Sequence, residues 1–561
     1  MDERLEQKRE HDQQIASQAS KSSSPDDKKS DTPKQTSPEA AYRQERVTHW
    51  NQVAQETEKG AHWARYYHHR LTQVYQFLAA PAQKVLEIGC GQGGLLATLQ
   101  PSKGLGVDLS VEMIQRARKR HPNLDFIAMD AHNLNSIQKT YADIAQNSTE
   151  KLQVAVTESP THGQETGSSE LSILPKTNLG IYKPDFEQPP YDVIILSDLV
   201  NDLWDVQKVL DQIKPLSHSR TRVILNFYSR LWELPLAIAE KLGLAKPTLF
   251  QNWLTPEDTT NLLHLSGFEV IRSWPEILWP LRTPLIDSFF NKILVKLWPF
   301  KELAITNFIV ARPQPVHTHS KKAPSVSVVI AARNEAGNIP AIFERVPKMG
   351  SQTELVFVEG HSTDNTYEAI QDAIKANPGR SCQLHKQRGK GKGDAIRLGF
   401  QQAQGDILMI LDADLTVPPE DLPRFYAALV TNRGEFINGV RLVYPMEEQA
   451  MRFFNILGNK FFSLTFSWLL DQPIKDTLCG TKVLWKKDYE LIAANRDYFG
   501  DFDPFGDFDL LFGAAKMGLK IVDLPIRYHQ RVYGETNIER WKHGWLLLKM
   551  VVNAARLLKF V

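Results

Sequence analysis

The sequence contains little cysteine and has no long, unbroken apolar run. Its 561 residues include three cysteines, Cys90, Cys382 and Cys479, which lie far apart and form neither a disulfide framework nor a metal-spaced cluster. This scarcity is typical of a protein from a reducing cytoplasm. The most apolar spans are each interrupted by charged or amide side chains, so they do not predict transmembrane helices. These spans lie near residues 285–300, 453–470 and 544–561.

Net charge is almost absent as well. There are 66 Lys and Arg residues and 65 Asp and Glu residues, and the formal net charge of +1 gives no overall attraction for nucleic acid. The first 40 residues lack the apolar core of a secretory signal and are rich in Gln, Ser, Lys, Asp and Glu. We therefore interpret residues 1–59 as a disordered polar tail and lead-in. The remaining length predicts two or three domains.

A strand that enters a glycine turn begins the first predicted domain, in the run KVLEIGCGQGG. Two templates overlap in this run. Gly89, Gly91 and Gly94 satisfy the dinucleotide pattern G-x-G-x-x-G, whereas Glu87, Gly89, Gly91 and Gly93 satisfy the pattern E-x-G-x-G-x-G of S-adenosylmethionine (SAM) enzymes. The glycine spacing alone leaves an NAD-dependent oxidoreductase open as an alternative.

The strands that follow favour the SAM pattern. One strand ends in Asp108, an acid suited to ribose hydroxyls, and the next ends in Asp130, for which an adenine amine is the expected partner. Two further strands, near 191–198 and 221–228, alternate with helical segments. Over residues 60–313, this series resembles the class I SAM-dependent methyltransferases.

This resemblance implies a Rossmann-like, seven-stranded sheet whose last two strands are antiparallel. It also implies that Asp198, which follows the strand facing the methyl group in that fold, deprotonates an acceptor hydroxyl. A polar stretch at 136–185 is longer than the family usually has and predicts a surface insertion. Met113 lies on an amphipathic helix, where a core position is an equal alternative to a ligand contact. The implied SAM pocket consists of Glu87, Gly89, Gly91, Gly93, Asp108, Met113 and Asp130.

A second α/β unit follows a linker rich in proline and polar residues at 314–324. Its first strand ends in the polar run Arg333-Asn334-Glu335, and its second ends at Glu359, before a turn that contains Asp364. A basic glycine turn around Lys392 then leads into a helix. Backbone amides and lysines in such a turn can bind phosphate.

Asp412 and Asp414 end the next apolar strand. Residues i and i+2 of a strand face the same side, and two carboxylates at the carboxyl end of an α/β strand can hold a divalent cation against a phosphorylated ligand. Solvated turns also contain Asp-x-Asp. Its place after the basic glycine turn and before Arg531, a residue suited to clamp a phosphate, favours a metal–nucleotide site.

The motifs A-x-x-N-E, S-T-D-x-T, G-K-G-x-A-I-R-x-G and D-A-D occur in this order. Residues 325–561 thereby resemble the family 2 glycosyltransferases of the GT-A fold, and among them the polyprenyl-phosphate (dolichyl-phosphate) hexose synthases. The sequence Glu-Gly-His at 359–361 replaces the frequent Asp-Asp-Gly, which leaves GDP-hexose and UDP-hexose both open. The resemblance implies nucleotide-sugar contacts from Arg333, Asn334, Glu335, Glu359, Asp364, Lys392 and Asp412, a Mg²⁺ or Mn²⁺ ion on Asp412 and Asp414, and catalytic roles for Asp412, Asp414, Asp507, Asp509 and Arg531.

Together the two resemblances predict a bifunctional enzyme. The first domain would transfer a methyl group from SAM to a hydroxyl of a sugar or lipid-linked glycan. The second would transfer a hexose from a nucleotide sugar to polyprenyl phosphate with inversion at the anomeric carbon. The alternative is that one domain is a non-catalytic regulatory scaffold.

The last residues of the chain predict an amphipathic helix from Trp541 to Val561. Lys549, Asn553 and Arg556 follow one helical face. Such a helix either lies on an anionic membrane or packs against the catalytic domain. The sequence therefore predicts a cytoplasmic protein with a peripheral contact at the inner face of the cytoplasmic membrane.

Overall fold

The computed structural model describes residues 37–56, 62–137, 191–241, 249, 251–314, 323–441, 453–496, 506–529, 531, 533 and 540–560. Nearly all of the predicted insertion at 136–185, most of the linker and residues 1–36 of the predicted tail lie outside these ranges.

The first described element corrects the interpretation of the lead-in. Within residues 1–59, for which no order was predicted, Pro38–Glu56 forms helix α1. The Ser37 hydroxyl accepts a hydrogen bond from the Ala40 amide at 3.3 Å, and Pro38 occupies the first helical position. A serine cap followed by proline, with Ala, Gln, Glu and Arg beyond it, is a good helix start. We interpreted this segment from its polar composition and therefore did not recognise the start of the helix.

The first domain contains the predicted seven-stranded sheet, in the order β3-β2-β1-β4-β5-β7-β6. The first five strands in this order are parallel, and β7 is antiparallel to both β5 and β6, as predicted. The strands are β1 (Lys84–Ile88), β2 (Lys103–Asp108), β3 (Asp125–Ala128), β4 (Tyr191–Leu196), β5 (Ser217–Tyr228), β6 (Phe268–Glu276) and β7 (Thr306–Pro313).

Helices cover both faces of this sheet, because its strands are apolar on both sides. Leu86 and Ile88 belong to one buried cluster and Val85 to another. The helices are α2 (His62–Leu78), α3 (Gly94–Thr98), α4 (Val111–Arg120), α5 (Val206–Ile213), α6 (Glu233–Lys241) and α7 (Pro256–Leu265).

The second domain has its own seven-stranded sheet, in the order β10-β9-β8-β11-β13-β12-β14. Strands β10, β9, β8 and β11 are parallel, β13 is antiparallel to β11 and β12, and β14 is parallel to β12. The sequence indicated β8, β9 and β11 but not the remaining strands. The strands are β8 (Val326–Ala332), β9 (Thr353–Glu359), β10 (Ser381–Lys386), β11 (Ile407–Ile410), β12 (Phe436–Val440), β13 (Lys482–Trp485) and β14 (Ile521–Pro525).

Helices again lie on both faces, over two separate buried clusters. The fold class is therefore α/β with two doubly wound domains, as predicted. The helices are α8 (Ile339–Arg345), α9 (Thr366–Ala376), α10 (Lys392–Gln402), α11 (Leu422–Val430), α12 (Phe453–Leu470), α13 (Lys486–Ala494), α14 (Asp507–Lys516) and α15 (Arg540–Ala554).

The C-terminal helix α15 packs against the second domain with one face. Leu547, Met550 and Ala554 are buried in the same cluster as α12 and α14, whereas Trp545 and Val552 on the outer face are 61% and 55% exposed. One face of this helix therefore packs against the catalytic domain, which was one of the two alternatives, and the opposite face is exposed. Within the described ranges, no helix is long and apolar enough to cross a membrane.

Buried charges join the two domains. Glu435, which is 1% exposed, accepts a hydrogen bond from Arg222 at 2.7 Å and lies 3.4 Å from Arg312. Arg220 donates to Asp488 at 2.8 Å. The arginines lie on β5 and β7 of the first sheet, and both acids belong to the second domain. These pairs hold the domains together through side chains that no sequence motif marked.

Candidate active sites

Asp108 closes the glycine turn of the first domain. Its Oδ2 atom accepts a hydrogen bond from the Gly91 amide at 2.8 Å, and its Oδ1 atom accepts one from the Ser110 amide at 2.8 Å. Both amides fix the orientation of the carboxylate at the carboxyl end of β2, next to the end of β1. The remaining lone pairs of this half-buried group suit hydroxyl donors.

The glycines of this turn serve two different purposes. Gly89, Gly91 and Gly93 all have positive φ, at 76°, 52° and 75°. A Cβ atom on Gly93 would meet the Phe126 ring at 2.5 Å, so this glycine is required by packing. A Cβ atom on Gly91 would meet nothing within 4 Å. Open space therefore lies beside Gly91, and the acceptor oxygens of Asp108 next to it suit the hydroxyl groups of a ribose-bearing cofactor.

Two other predicted pocket residues lie deeper in the first domain. Glu87 is 2% exposed, and its Oε2 atom accepts a hydrogen bond from the Leu96 amide at 3.0 Å. Burial raises the pKa of Glu87 to about 8. Met113 is buried, which agrees with its core alternative.

Asp130 follows β3 and caps the turn after it. Its carboxylate accepts from the His132 amide at 2.9 Å and lies 2.8 Å from His132 Nδ1. In this structure Asp130 therefore forms hydrogen bonds with His132, a residue of the same turn.

Asp198 lies in a polar cluster after β4. Its Oδ1 atom accepts from the Tyr67 hydroxyl at 2.8 Å and from Asn226 Nδ2 at 2.5 Å. The Tyr75 hydroxyl donates to Asn226 Oδ1 at 2.7 Å, and the Tyr228 ring stacks on Tyr67 with centroids 6.0 Å apart. Burial raises the pKa of Asp198. Asp198 also has a φ of 52°, a costly conformation that is often found at functional sites.

Sequence reasoning selected Asp198 but missed Tyr67, Tyr75 and Asn226. Tyr67 and Tyr75 are eight residues apart on α2, and this spacing places both on one face of the helix. The spacing could have predicted that the two tyrosines share a helix face. It could not have predicted that this face packs against the ends of β4 and β5.

Asp412 and Asp414 follow β11 in the second domain, and each contacts a cation. Lys392 Nζ lies 2.5 Å from Asp412 Oδ1, and Arg531 Nη2 lies 2.6 Å from Asp414 Oδ2. Arg531 Nη1 also lies 3.2 Å from Glu335 Oε1. Five residues selected from the sequence therefore form two adjoining ion-pair groups at the carboxyl ends of β8 and β11.

Gly480 allows these charges to approach each other. A Cβ atom on Gly480 would overlap the Asp412 carboxylate and the Lys392 ammonium group. Sequence reasoning did not select Gly480. Its role could be found only from the structure, because the three residues are far apart along the chain.

Three other predicted nucleotide-sugar residues hold loops together. Asn334 Oδ1 accepts from the Thr363 amide at 2.8 Å, and Glu359 Oε1 accepts from the Ser362 amide at 2.5 Å. Asp364 Oδ1 accepts from the Thr366 amide at 3.0 Å and so caps the start of α9. These contacts shape the loops that follow β8 and β9. The fourth, Arg333, is exposed beside them.

Asp507 and Asp509 at the start of α14 have different surroundings. Asp507 Oδ1 lies 3.7 Å from Lys482 Nζ, and its charge helps raise the pKa of Lys392. Asp509 instead lies 3.5 Å from Arg397 and 3.7 Å from Arg496. Of the two acids, Asp507 is therefore the one linked to the Lys392–Asp412 pair.

The carboxylates of Asp412 and Asp414 fit Mg²⁺ or Mn²⁺ in donor chemistry. These ions prefer oxygen ligands and are often held by one or two carboxylates together with substrate phosphates. In the described parts of the chain there is no group of three or more His, Cys, Asp or Glu residues that could hold a metal ion.

The sequence matches two family descriptions in separate segments. Residues 63–273 match "Methyltransferase domain", and residues 327–489 match "Glycosyl transferase family 2". The first match favours the SAM pattern of the glycine turn and argues against the NAD-dependent alternative.

Two of the curated relatives are sugar transferases named for polyprenyl phosphates. A dolichol-phosphate mannosyltransferase of Pyrococcus furiosus is 29% identical over 247 residues, which are 42% of this chain and 67% of that protein. An undecaprenyl-phosphate 4-deoxy-4-formamido-L-arabinose transferase of Proteus mirabilis is 37% identical over 111 residues, which are 19% of this chain. That alignment spans only 34% of the bacterial protein.

Two solved structures are similar to part of the chain at low identity. Glucosyl-3-phosphoglycerate synthase from Mycobacterium tuberculosis covers 42% of this chain and 80% of its own, with a TM-score of 0.31 and 16% identity. A SAM-dependent methyltransferase from Thermotoga maritima covers 47% of this chain and 98% of its own, with a TM-score of 0.30 and 13% identity. On the evidence of the two family matches, the chain is an enzyme that joins a methyltransferase domain to a family 2 glycosyltransferase domain.

Proposed function

We propose that the second domain transfers a hexose from a nucleotide diphosphate sugar to polyprenyl phosphate. We also propose that the first domain transfers a methyl group from SAM to a hydroxyl of the same or a related lipid-linked glycan. The observation that carries the first proposal is the pair of acids after β11, each in contact with a cation that can meet a diphosphate. The names of the two curated relatives support a polyprenyl-phosphate acceptor.

The sugar transfer is a direct displacement at the anomeric carbon. An oxygen of the acceptor phosphate forms the new C–O bond while the bond to the nucleoside diphosphate breaks, and the configuration inverts. Asp412 and Asp414 would hold the divalent ion, which supplies positive charge to the leaving diphosphate. Lys392 and Arg531 add charge at the same edge. A phosphate acceptor is already anionic, so it needs no base. A hydroxyl acceptor would need one, and of Asp507 and Asp509 we assign that role to Asp507, the acid linked to Lys392.

For methyl transfer, we assign SAM binding to the turn around Gly91 and Asp108. SAM supplies an activated methyl group on a good leaving group, so the protein must align the acceptor and remove its proton. Asp198 is the base in this scheme. Tyr67 and Asn226 hold its carboxylate, and its raised pKa brings it closer to neutral pH, where a general base is effective.

Replacing Asp198 with asparagine should lower methyl transfer by about 10²–10⁴-fold, the usual contribution of a positioned base. Asparagine tolerates the left-handed backbone at this position, so we expect the fold and SAM binding to persist. Asp205→Asn is the matched control, because Asp205 only caps α5 through the Lys208 amide and asparagine is an equally good cap. Equal rates in the two variants would show that Asp198 is not the base.

The raised pKa of Glu87 predicts pH-dependent SAM binding. Glu87 is largely protonated at pH 7 in the free protein, and the cationic cofactor favours its ionised form. Affinity should therefore rise with pH up to about 8, by at most about tenfold per pH unit, and binding should release protons. Calorimetry in buffers of different ionisation enthalpy measures this release. A Glu87→Gln variant that showed the same pH dependence would contradict the assignment.

The raised pKa of Glu87 also makes the free energy of unfolding depend on pH. The folded pKa of Glu87 lies above its usual value of 4.5, so the folded, ligand-free protein binds a proton that the unfolded chain releases between these two values. The contribution of protonated Glu87 to stability is complete below pH 4.5 and is lost as the pH rises through about 8.

We also propose that the protein contacts an anionic membrane through an apolar surface shared by both domains. Trp468 of α12 connects its parts, because its Nε1 atom donates to the Lys296 carbonyl at 3.4 Å and its ring lies 5.8 Å from the Phe560 ring. Residues 540–561 contain five Lys and Arg residues and no Asp or Glu, which suits anionic lipid. The exposed members of this membrane surface are Leu285, Phe289, Trp298, Phe461, Leu464, Trp545 and Val552.

Removing apolar side chains from this surface should weaken binding to vesicles. For a Leu285→Ser, Trp298→Ser double variant, we expect at least a tenfold lower partition into vesicles containing phosphatidylglycerol, because each large apolar side chain contributes roughly 1.5–3 kcal/mol when it is buried. Leu265→Ser is the control, since Leu265 is also exposed but lies on α7. Co-sedimentation measures the partition. Equal losses in the variant and the control would rule out this surface.

The whole proposal can be tested with one mixture. Purified protein, SAM, labelled GDP-hexose or UDP-hexose and polyprenyl phosphate should yield a methylated lipid-linked sugar that mass spectrometry identifies. Sugar transfer to a soluble acceptor alone would overturn the lipid assignment, and methylation of an unrelated small molecule alone would separate the two activities.

A further inference from the structure

A small cavity lies between the two domains, away from both candidate active sites. Its volume is about 30 Å³, more than a single bound water molecule requires. Helix α2 and strand β6 of the first domain form one wall, and the segments after α12 and α15 form the other. The charged side chains that line it are Arg70, Arg272, Glu276, Lys296, Asp471 and Lys559.

The charges around this cavity do not balance. Four of the six side chains are basic and two are acidic. The basic residues are nine-tenths or more buried: Arg70 is 4% exposed, Arg272 8%, and Lys296 and Lys559 7% each. An excess of two positive charges in a poorly hydrated site is costly unless an anion compensates it.

The two acids are already engaged by other cations. Glu276 pairs with Arg70 at 3.3 Å and also with Lys296. Asp471 pairs with Lys559 at 2.5 Å. These contacts account for three of the four basic groups and leave the charge of Arg272 as the one without a direct carboxylate contact in the described chain.

Arg272 is held by an aromatic ring. Its guanidinium carbon lies 4.8 Å from the centroid of the Trp274 ring, and its buried Nε atom has no hydrogen-bond partner among the described residues. A guanidinium group does not lose its proton in a protein, so burial cannot neutralise it. The charge of Arg272 also acts on a neighbouring lysine, because burial and then repulsion by Arg272 lower the pKa of Lys516 to about 8.

We propose that this cavity is a binding site for a small oxyanion of the phosphate class, with Arg272 as its principal donor. Arg70, Arg272 and Lys296 belong to the methyltransferase domain and Lys559 to the glycosyltransferase domain. An anion between them would therefore bind both domains at once and stabilise their association. This site is independent of either transferase activity. Its ligand is either free phosphate or the phosphate monoester of a lipid headgroup.

Thermal unfolding of the full chain at constant ionic strength tests the proposal. Phosphate should raise Tm in a saturable manner, whereas chloride should not. Arg272→Gln should weaken phosphate binding by at least about tenfold, as expected for the loss of a charged hydrogen-bond donor. Arg230→Gln, at an exposed arginine outside the cavity, is the matched control and should bind like the wild type.

The variant also provides an internal check on folding. Removal of an uncompensated buried charge should leave Arg272→Gln at least as stable as the wild type without phosphate, so loss of the phosphate effect would not result from misfolding. Vesicles with and without phosphatidic acid distinguish a lipid headgroup from free phosphate. The proposal is overturned if phosphate and chloride act alike, or if phosphate raises Tm equally in Arg272→Gln and the wild type.

Discussion

Asp412→Asn is expected to lower sugar transfer by about 10²–10³-fold, the loss typical when one preorganised charge contact to a developing anion is removed. Asparagine keeps the shape of the side chain but removes the charge that attracts Lys392 and that would bind the divalent ion. Because this site lies entirely in the second domain, SAM binding should be unchanged. Transfer of labelled hexose over a series of Mg²⁺ and Mn²⁺ concentrations measures the effect.

A second carboxylate of the same domain provides the control for this experiment. Asp421 forms an ion pair with Arg424 at 2.9 Å on α11, away from the acids after β11. Asp421→Asn should transfer sugar at the wild-type rate with the same metal requirement. If Asp412→Asn also kept this rate, the assignment of the metal site to Asp412 and Asp414 would be withdrawn.

Glu435→Gln is expected to destabilise the protein by about 3–5 kcal/mol, the cost of breaking a buried ion pair by removing one partner. Arg222, which is 7% exposed, would lose its carboxylate partner among the described residues, and Arg312, which is 0% exposed, would keep only its carboxylate contact with Glu269. Glutamine has nearly the same volume, so loss of charge rather than of packing would dominate. Urea unfolding measures the change in the free energy of unfolding.

Glu420→Gln is the matched control for Glu435. Glu420 is 55% exposed in its side chain and pairs with Arg345 at 2.9 Å, an exposed contact of the kind that contributes under about 1 kcal/mol. Hydrogen exchange should also rise at the facing parts of β5 and β7 in Glu435→Gln and not in Glu420→Gln. Equal unfolding free energies in the two variants would mean that Glu435 does not hold the domains together.

Local signals in the sequence predicted the strands that end in acidic residues. A strand that ends in Asp108, or in Asp412 and Asp414, can be recognised within about ten residues, because alternation and a glycine turn are features of neighbouring residues. The antiparallel β6 and β7 followed from the resemblance to methyltransferases.

The parts that the sequence did not predict depend on contacts between distant residues. Glu335 and Arg531 are 196 positions apart, and Tyr67 and Asp198 are 131 apart. No spacing rule joins such residues, since the fold alone brings them together. The same reason explains why the sequence gave no warning of the ion pairs around Glu435.

The ion pairs around Glu435 have a practical consequence for dividing the chain. A cut in the linker would leave Arg222 on one fragment and Glu435 on the other, so each fragment would expose a charge whose partner lies on the other fragment. Grafting either domain onto an unrelated partner would create the same mismatch unless the recipient supplied the opposite charge. The charged residues on the facing surfaces of the two domains are thus complementary. A domain that replaced either one would need an oppositely charged residue at the same place.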